Sequence, residues 1–559
     1  MCFVFNIAFR ILSFIVKFSI KTRLILIPIG YFMESAAEKD FIKAQAGLVP
    51  LWYPYADKIV EYLCVIGFFS GIINWILSKI LRRPVHIWKD LFYKLTGHSW
   101  SFSKLNKGYY SKLKNSYEIP KGVVIAKKKI AIKKYVCIPD NEIAHSSIIG
   151  GTGSGKTVNI LATVLNKKNN YSMLILDGKD GGEIRKKSEN ARKEIHQTVK
   201  FFDPDNGNTF KFNPFEQFEY VSEEDYTDVA DRMAVNMIEK SSQEKNSMWI
   251  DNARILLSGI ILYNVILKND FKTTMEFIQL HSVNEIIDII KKAYESDNEK
   301  FKQAYKKIAF FNGMADETLT GINSNMMSKL SCFSSERVLN SLSGDGNYIS
   351  PSDLENSTTI YFNIELAKAQ DQWKPLSKLF LNAFFDYFTN RGKELASNGE
   401  KPKKILFILD EFANYGKINK IENQISLVRS AGVSIMLAFQ SVAQIDNIYG
   451  KDARKIILDN MSYQIILKIN DDETAKAYSS MSGTYDKKRM SKSSNDNQNA
   501  YGFHQGVGNG INESYEEKNI VKPEDFKYLP DKNECIVFMP DGIARLKKVL
   551  YYRDINYKL

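Results

Sequence analysis

One short run of residues carries the pattern of a phosphate-binding loop. Residues 147–158 read SIIGGTGSGKTV, and Gly150-x-x-x-x-Gly155-Lys156-Thr157 within them is a complete Walker A pattern. Gly150, Gly151, Gly153 and Gly155, with Thr152 and Ser154 between them, let successive backbone N–H groups curl round a β-phosphate. A helix starting near Lys156 adds its positive end. In this pattern Lys156 reaches the β- and γ-phosphates and the Thr157 hydroxyl ligates Mg²⁺, so ATP with Mg²⁺ is the expected cofactor. The context agrees, because Ala144–Ile149 has a strand signal and Val158–Asn166 continues as an apolar helix.

A second run supplies the carboxylates. Ile405-Leu406-Phe407-Ile408-Leu409-Asp410-Glu411 describes a buried parallel strand ending in two acids, the form of a Walker B strand. Asp410 is placed to hold the Mg²⁺ water shell, and Glu411 to polarise the water that attacks the γ-phosphate. The second role marks a hydrolase rather than a kinase. Val433–Phe439 reads as another buried strand, with Gln440 at its end where a polar group can contact the γ-phosphate or the attacking water. Asn419–Ser430 reads as a helix closed by Ala431-Gly432, with Arg429 in its last turn. Two roles stay open for Arg429: reaching a neighbouring subunit's phosphates, or complementing the helix C-terminus.

These residues need a sheet to hold them. Strand signals at Ser172–Leu176, Thr198–Phe202, Thr358–Ile364 and Cys535–Met539 supply one, and between about 220 and 345 the periodicity turns helical. The expected fold is α/β, a RecA-like P-loop NTPase domain at 101–220 and 345–559 with an all-helical insert at 221–344. Residues 486–518, rich in Ser, Asn, Gly and Lys, read as a flexible loop. Lys487, Lys488, Arg489 and Lys492 within it read as a solvated charge run more readily than as a DNA contact.

Residues 1–100 read as a membrane anchor. The uncharged run Tyr62–Leu77 extends to a spanning helix at about 59–81, followed by Lys79, Arg82, Arg83, Lys89 and Lys94, which the positive-inside rule places in the cytoplasm. A first membrane segment is expected within 3–33, although Arg10, Lys17 and Lys21 share one helix face there, as in an interfacial helix. Two passes give a multi-pass protein of a bacterial inner membrane, in contact with lipid, with its ATPase domain in the cytoplasm.

Bulk composition sets wider limits. At 559 residues, 44% hydrophobic and 25% charged, the chain is a folded protein of two or three domains. Its net charge of +12 suits contact with phosphates or anionic lipid. Five scattered cysteines, none in a CxxC pair, and six histidines without metal-ligand spacing argue against disulfide scaffolds and zinc chemistry.

Taken together, these residues resemble the type IV secretion coupling proteins, the VirD4/TraD/TraG family of conjugative DNA-transfer ATPases. The specific marks are Leu409-Asp410-Glu411-Phe412-Ala413-Asn414 and Phe439-Gln440-Ser441-Val442-Ala443-Gln444, running on through Ile445-Asp446-Asn447-Ile448-Tyr449-Gly450. Asp177-Gly178-Lys179, Asp203-Pro204 and Phe212-Asn213-Pro214-Phe215 add to the likeness, which covers about 140–559. Tyr415 departs from it, standing where the family often has Leu. The resemblance implies a homo-hexamer with DNA, bound without strong sequence preference, passing through a central channel. It also implies partners in a relaxase or relaxosome and in the type IV secretion channel. Arg429 then matches an arginine finger and Gln440 a γ-phosphate-sensing glutamine. Two other functions compete: an FtsK/HerA-type translocase not tied to secretion, and an ATP-binding receptor or scaffold. The two family runs disfavour the first, and a water-activating Glu411 disfavours the second.

Overall fold

The computed structural model describes residues 114–557 apart from 117, 129–134, 179–181, 205–208, 240–246, 345, 365–372, 419, 499–503, 530–531 and 541. The described residues fall in one compact unit, Leu105–Leu559. The anchor at 1–100, with both expected membrane passages, and Lys179 of the Asp177-Gly178-Lys179 run lie outside the described residues.

In chain order the strands are β1 (Lys114–Ser116), β2 (Gly122–Lys127), β3 (Tyr135–Pro139), β4 (Ser146–Ile149), β5 (Ser172–Asp177), β6 (Thr198–Phe202), β7 (Lys211–Phe212) and β8 (Tyr348–Ile349). They continue as β9 (Thr358–Asn363), β10 (Ile405–Leu409), β11 (Val433–Phe439), β12 (Tyr463–Ile466), β13 (Thr484–Gln498), β14 (His504–Asn519), β15 (Glu534–Met539) and β16 (Gly542–Lys547). Twelve of them form one sheet in the order β1-β3-β2-β16-β15-β12-β4-β11-β10-β5-β9-β6. From β12 to β6 every neighbouring pair is parallel. From β12 back to β1 every pair is antiparallel.

The parallel half is legible in its residues. Every residue of β10 and β11 is buried, as strands covered on both faces require. On one face Phe202, Phe362 and Phe407 meet helix Lys374–Asn398, where Phe380 stacks 4.3 Å from Phe362 and Phe385 lies edge-on 5.7 Å from Phe407. Aromatic pairs of this kind contribute about 0.5–1.5 kcal/mol each beyond the area they bury. On the other face Ile160, Leu161 and Val164 of helix Lys156–Val164, with Ile184 of helix Glu183–Glu194, pack with Ile175, Leu406, Ile408 and Met436. Register then levels the functional ends. Leu409 pairs with Leu176 on one side and Leu437 on the other, and Phe439 pairs with Ile149. Asp177, Asp410, Gln440 and the loop after Ile149 therefore emerge along the carboxyl edge of the sheet, where open α/β sheets bind ligands.

Between β7 and β8 the described elements are all helical. Helix Ser247–Ile266 packs against Tyr226–Met237, Asn298–Ile308 and Asp316–Lys329. Gly259 permits the close approach to Asn298–Ile308, because a Cβ there would sit 2.4 Å from Ile308 Cγ2. Helix Val283–Ser296 starts where a capping box forms between Ser282 and Glu285.

Two sequence expectations need correction. The stretch read as a flexible loop, 486–518, lies almost wholly in the antiparallel ribbon of β13 and β14, which pairs from Thr484↔Asn519 to Gln498↔His504. A ladder of backbone hydrogen bonds needs no apolar period, so composition alone did not reveal it. The multi-pass membrane localisation does not stand. Among the described residues no helix is long and apolar enough to cross a membrane. Even the apolar 20-residue helix Ser247–Ile266 turns Ala253, Leu256, Leu257, Ile260 and Ile261 into the protein core.

Candidate nucleotide site

The loop between β4 and helix Lys156–Val164 is braced from both sides. Gly150 N–H donates to Phe439 O at 3.2 Å and Gly151 N–H to Lys468 O at 2.9 Å, so the exits of β11 and β12 grip its start. A Cβ on Gly150 would lie 2.5 Å from Ser154 Oγ and 2.7 Å from Leu467 Cβ, too close for any side chain. Gly155 turns the chain into the helix at φ 97°, a left-handed conformation that glycine takes without steric cost. Among the described residues no side chain caps that helix, and Ser154 Oγ is buried without a hydrogen-bond partner. The helix end is thus free to offer N–H groups to an anion. Thr152 and Gly153 are exposed at the tip.

Lys156 and the Walker B acids meet directly. Lys156 Nζ lies 3.0 Å from Glu411 Oε1 and donates to Gly150 O at 3.0 Å, with both charged side chains at most one-tenth exposed. Gln440 Nε2 donates to Glu411 Oε2 at 3.3 Å. Glu411 itself adopts φ 51°, a left-handed backbone that costs about 1–3 kcal/mol in a non-glycine residue and clusters at functional sites. Asp410 is fully buried; its N–H donates to Leu176 O and its Oδ1 accepts from Glu411 N–H at 3.1 Å. Thr157, also buried, follows Lys156 in the first helical turn. Asp177 serves a neighbouring purpose, its Oδ2 accepting from Ile184 N–H at 2.6 Å at the start of helix Glu183–Glu194.

Arg429 is not part of this cluster. It is exposed in the turn Val428–Ala431, before β11, whereas Gln440 follows β11. Seven strand residues at about 3.3 Å each place the two ends roughly 20 Å apart. The expected helix 419–430 is shorter, Ile421–Leu427 followed by that tight turn, which Gly432 closes at φ 86°.

Beside Arg429 lies buried His145, whose Nδ1 accepts from Ile435 N–H at 3.0 Å. Burial first, and then the Arg429 charge, push its pKa down to about 4. A histidine kept neutral in the fold stabilises it fully above the ordinary value near 6.5. That stability is lost as pH falls from there to about 4, an effect of about 3 kcal/mol. Thermal unfolding over that range should show a smaller acid-induced fall for His145→Asn than for the natural protein; equal falls would refute the assignment.

Three further residues neighbour the site, and of these only Tyr415 figured in the sequence reading, as a departure from the family pattern. Asn470 Nδ2 lies 2.8 Å from where a Cβ on Gly151 would be. Tyr415 is buried against the acids, and its hydroxyl has no hydrogen-bond partner among the described residues. Burial first, and then the charges of Asp410, Asp177 and Glu411, push that hydroxyl's pKa well above the ordinary tyrosine value. Lys548 Nζ donates to Ser154 O at 2.7 Å from 394 residues away. Neither Asn470 nor Lys548 carries a local sequence signal.

The arrangement fits a nucleotide with Mg²⁺. A glycine cradle and an uncapped helix end suit the phosphates. For Mg²⁺, which takes oxygen ligands, the Thr157 hydroxyl and the Asp410 carboxylate are oxygen groups of the right kind. Fold and site together define a P-loop NTPase of the RecA-like α/β type.

The family described as Type IV secretory system Conjugative DNA transfer matches residues 104–559, and the chain belongs to that family of coupling proteins. It is 24% identical to protein VirD4 of Agrobacterium fabrum over 428 residues, 75% of this chain and 60% of the relative. It is 23% identical to a probable conjugal transfer protein TraG of Sinorhizobium fredii over 344 residues, 59% of this chain and 51% of that one. The chain therefore spans about half to three-fifths of the length of these curated relatives. Among solved structures, the bacterial conjugative coupling protein TrwB lacking its first 70 residues has a TM-score of 0.57 at 15% identity, covering 81% of this chain and 92% of that one. Plasmid coupling protein TrwB in complex with ADP and Mg²⁺ has a TM-score of 0.52 at 16% identity, covering 80% and 91%. At such identities the likeness shows the fold.

Proposed function

We propose that this protein is an ATPase that couples hydrolysis of Mg²⁺·ATP to transfer of DNA, or of a protein–DNA complex, into a type IV secretion channel. The observation that carries the enzymatic part is the contact of Glu411 with both Lys156 and Gln440 at the carboxyl edge of the sheet. Lys156 and the N–H groups of residues 153–157 bind the phosphates, and Thr157 and Asp410 hold Mg²⁺ with its water. Glu411 accepts the proton of the attacking water as Gln440 orients it, and a neighbouring subunit's Arg429 completes the site in a homo-hexamer. An ATP-binding scaffold would have no use for a carboxylate aimed in this way. Family membership supports DNA as the cargo, and the net charge of +12 suits phosphate tracking. A relaxase or relaxosome and the channel proteins are the corresponding partners.

The test is ATP turnover by the full chain with and without DNA across a salt series. Turnover should rise with DNA of unrelated sequences, and DNA affinity should fall steeply with salt. An assembled oligomer that hydrolyses ATP with no response to DNA would point instead to a protein-only cargo.

A further inference from the structure

We propose that Lys548 is a positioning residue of the nucleotide site, holding the Ser154–Gly155 peptide so that the Gly155 N–H faces the phosphates. The inference rests on reading residues 150–157 as a phosphate loop. Lys548 is the first residue past β16, and its ammonium donates to Ser154 O at 2.7 Å. The described chain has no cis peptide bonds. In a trans peptide the C=O and N–H lie in one plane and point in opposite directions, so an oxygen fixed on the outside of the loop commits Gly155 N–H to the inside. The positive charge on the oxygen also polarises the amide and makes its N–H a stronger donor to an anion.

The lysine is held in place by the segment that carries it. Lys548 N–H donates to Asn533 O at 2.7 Å, and Val549 is fully buried in a core shared with Ala162 of the loop's own helix. Further on, Tyr557 Oη donates to Ala162 O at 2.6 Å, and buried Asp554 accepts from Tyr135 Oη at 2.6 Å and pairs with Lys127. The C-terminal strap is thus fastened both to the loop's helix and to the antiparallel half of the sheet. Gly155 leaves room for the contact, since a Cβ there would stand 3.3 Å from Lys548 Nζ.

The experiment compares Lys548→Ala and Lys548→Arg with the natural full chain, measuring ADP·Mg²⁺ affinity, KM, kcat and unfolding temperature without nucleotide. Lys548→Ala should weaken ADP affinity and raise KM by about tenfold, the scale of one charge-assisted hydrogen bond. Its kcat at saturating ATP and its nucleotide-free unfolding temperature should stay close to those of the natural chain, and Lys548→Arg should recover most of the affinity. Unchanged affinity in Lys548→Ala would overturn the proposal. So would equal losses in both variants accompanied by a lowered nucleotide-free unfolding temperature, the signature of a strap that merely stabilises the fold. Lys156→Ala run alongside separates the two readings: if it binds ADP·Mg²⁺ normally, the phosphate-loop assignment itself fails.

Discussion

Glu411→Gln is expected to lower ATP turnover by about 10²–10⁴, the usual contribution of a positioned proton acceptor, while ATP still binds. The geometry gives a reason for both halves. Glutamine keeps the length of the side chain and one oxygen that can go on accepting from Lys156, while its NH2 group meets Gln440 once that residue's amide turns its own oxygen inward. What it lacks is the charge and basicity needed to take a proton from water. The ion pair also competes with substrate, because Lys156 must release Glu411 before it reaches a phosphate. A neutral partner weakens that competition, so ATP affinity in Glu411→Gln should equal or exceed that of the natural protein. Lys156→Ala provides the contrast, losing phosphate binding as well as turnover. Isothermal titration with a slowly hydrolysed ATP analogue, beside a phosphate-release assay, distinguishes the two. Turnover that survives Glu411→Gln would remove Glu411 from the chemistry, and lost binding would recast it as structural.

What could be read from the sequence was whatever depends on local pattern. The largely apolar runs of β10 and β11 announced buried parallel strands, and the strands occupy those residues. The spacing from Gly150 to Thr157 announced the loop, since the geometry of a phosphate cradle leaves few residue choices. What was missed depends on closure in three dimensions. Lys548 sits in a Leu-Lys-Lys run that reads as ordinary surface, and only the return of the chain through β16 brings it to Ser154. β1, β2, β3 and β16, which extend the sheet by an antiparallel half, went unrecognised because their apolar runs are short and edged by lysines. The β13–β14 ribbon is held by backbone pairing, so its Ser, Asn and Gly content pointed the wrong way. The chemistry was legible at the level of residue types; the contact of Glu411 with both Lys156 and Gln440 emerged only from strand register.

Arg429→Ala is expected to leave nucleotide binding and folding intact and to reduce turnover by about 10³–10⁵, the range for an arginine that neutralises transition-state charge. Its position argues against service within its own chain, for it precedes β11 whereas the P-loop and Gln440 lie past the other end of the parallel strands. Its exposure leaves the guanidinium available to an adjoining copy. In a ring built from head-to-tail contacts, one surface of each subunit faces a different surface of the next, which is the geometry a shared site requires. Mixing supplies the decisive measurement. Arg429→Ala subunits retain Lys156, and Lys156→Ala subunits retain Arg429, so each is inactive alone. Random mixing of equal amounts should complete about one interface in four, restoring a corresponding share of turnover. If Arg429 only complements its helix end, the alanine variant loses roughly 0.3–1 kcal/mol of stability and keeps its turnover. If the arginine acts inside one chain despite the distance, mixing restores nothing. A shared site also ties each subunit's hydrolysis to the placement of its neighbour, so ATP turnover should rise with protein concentration as rings assemble.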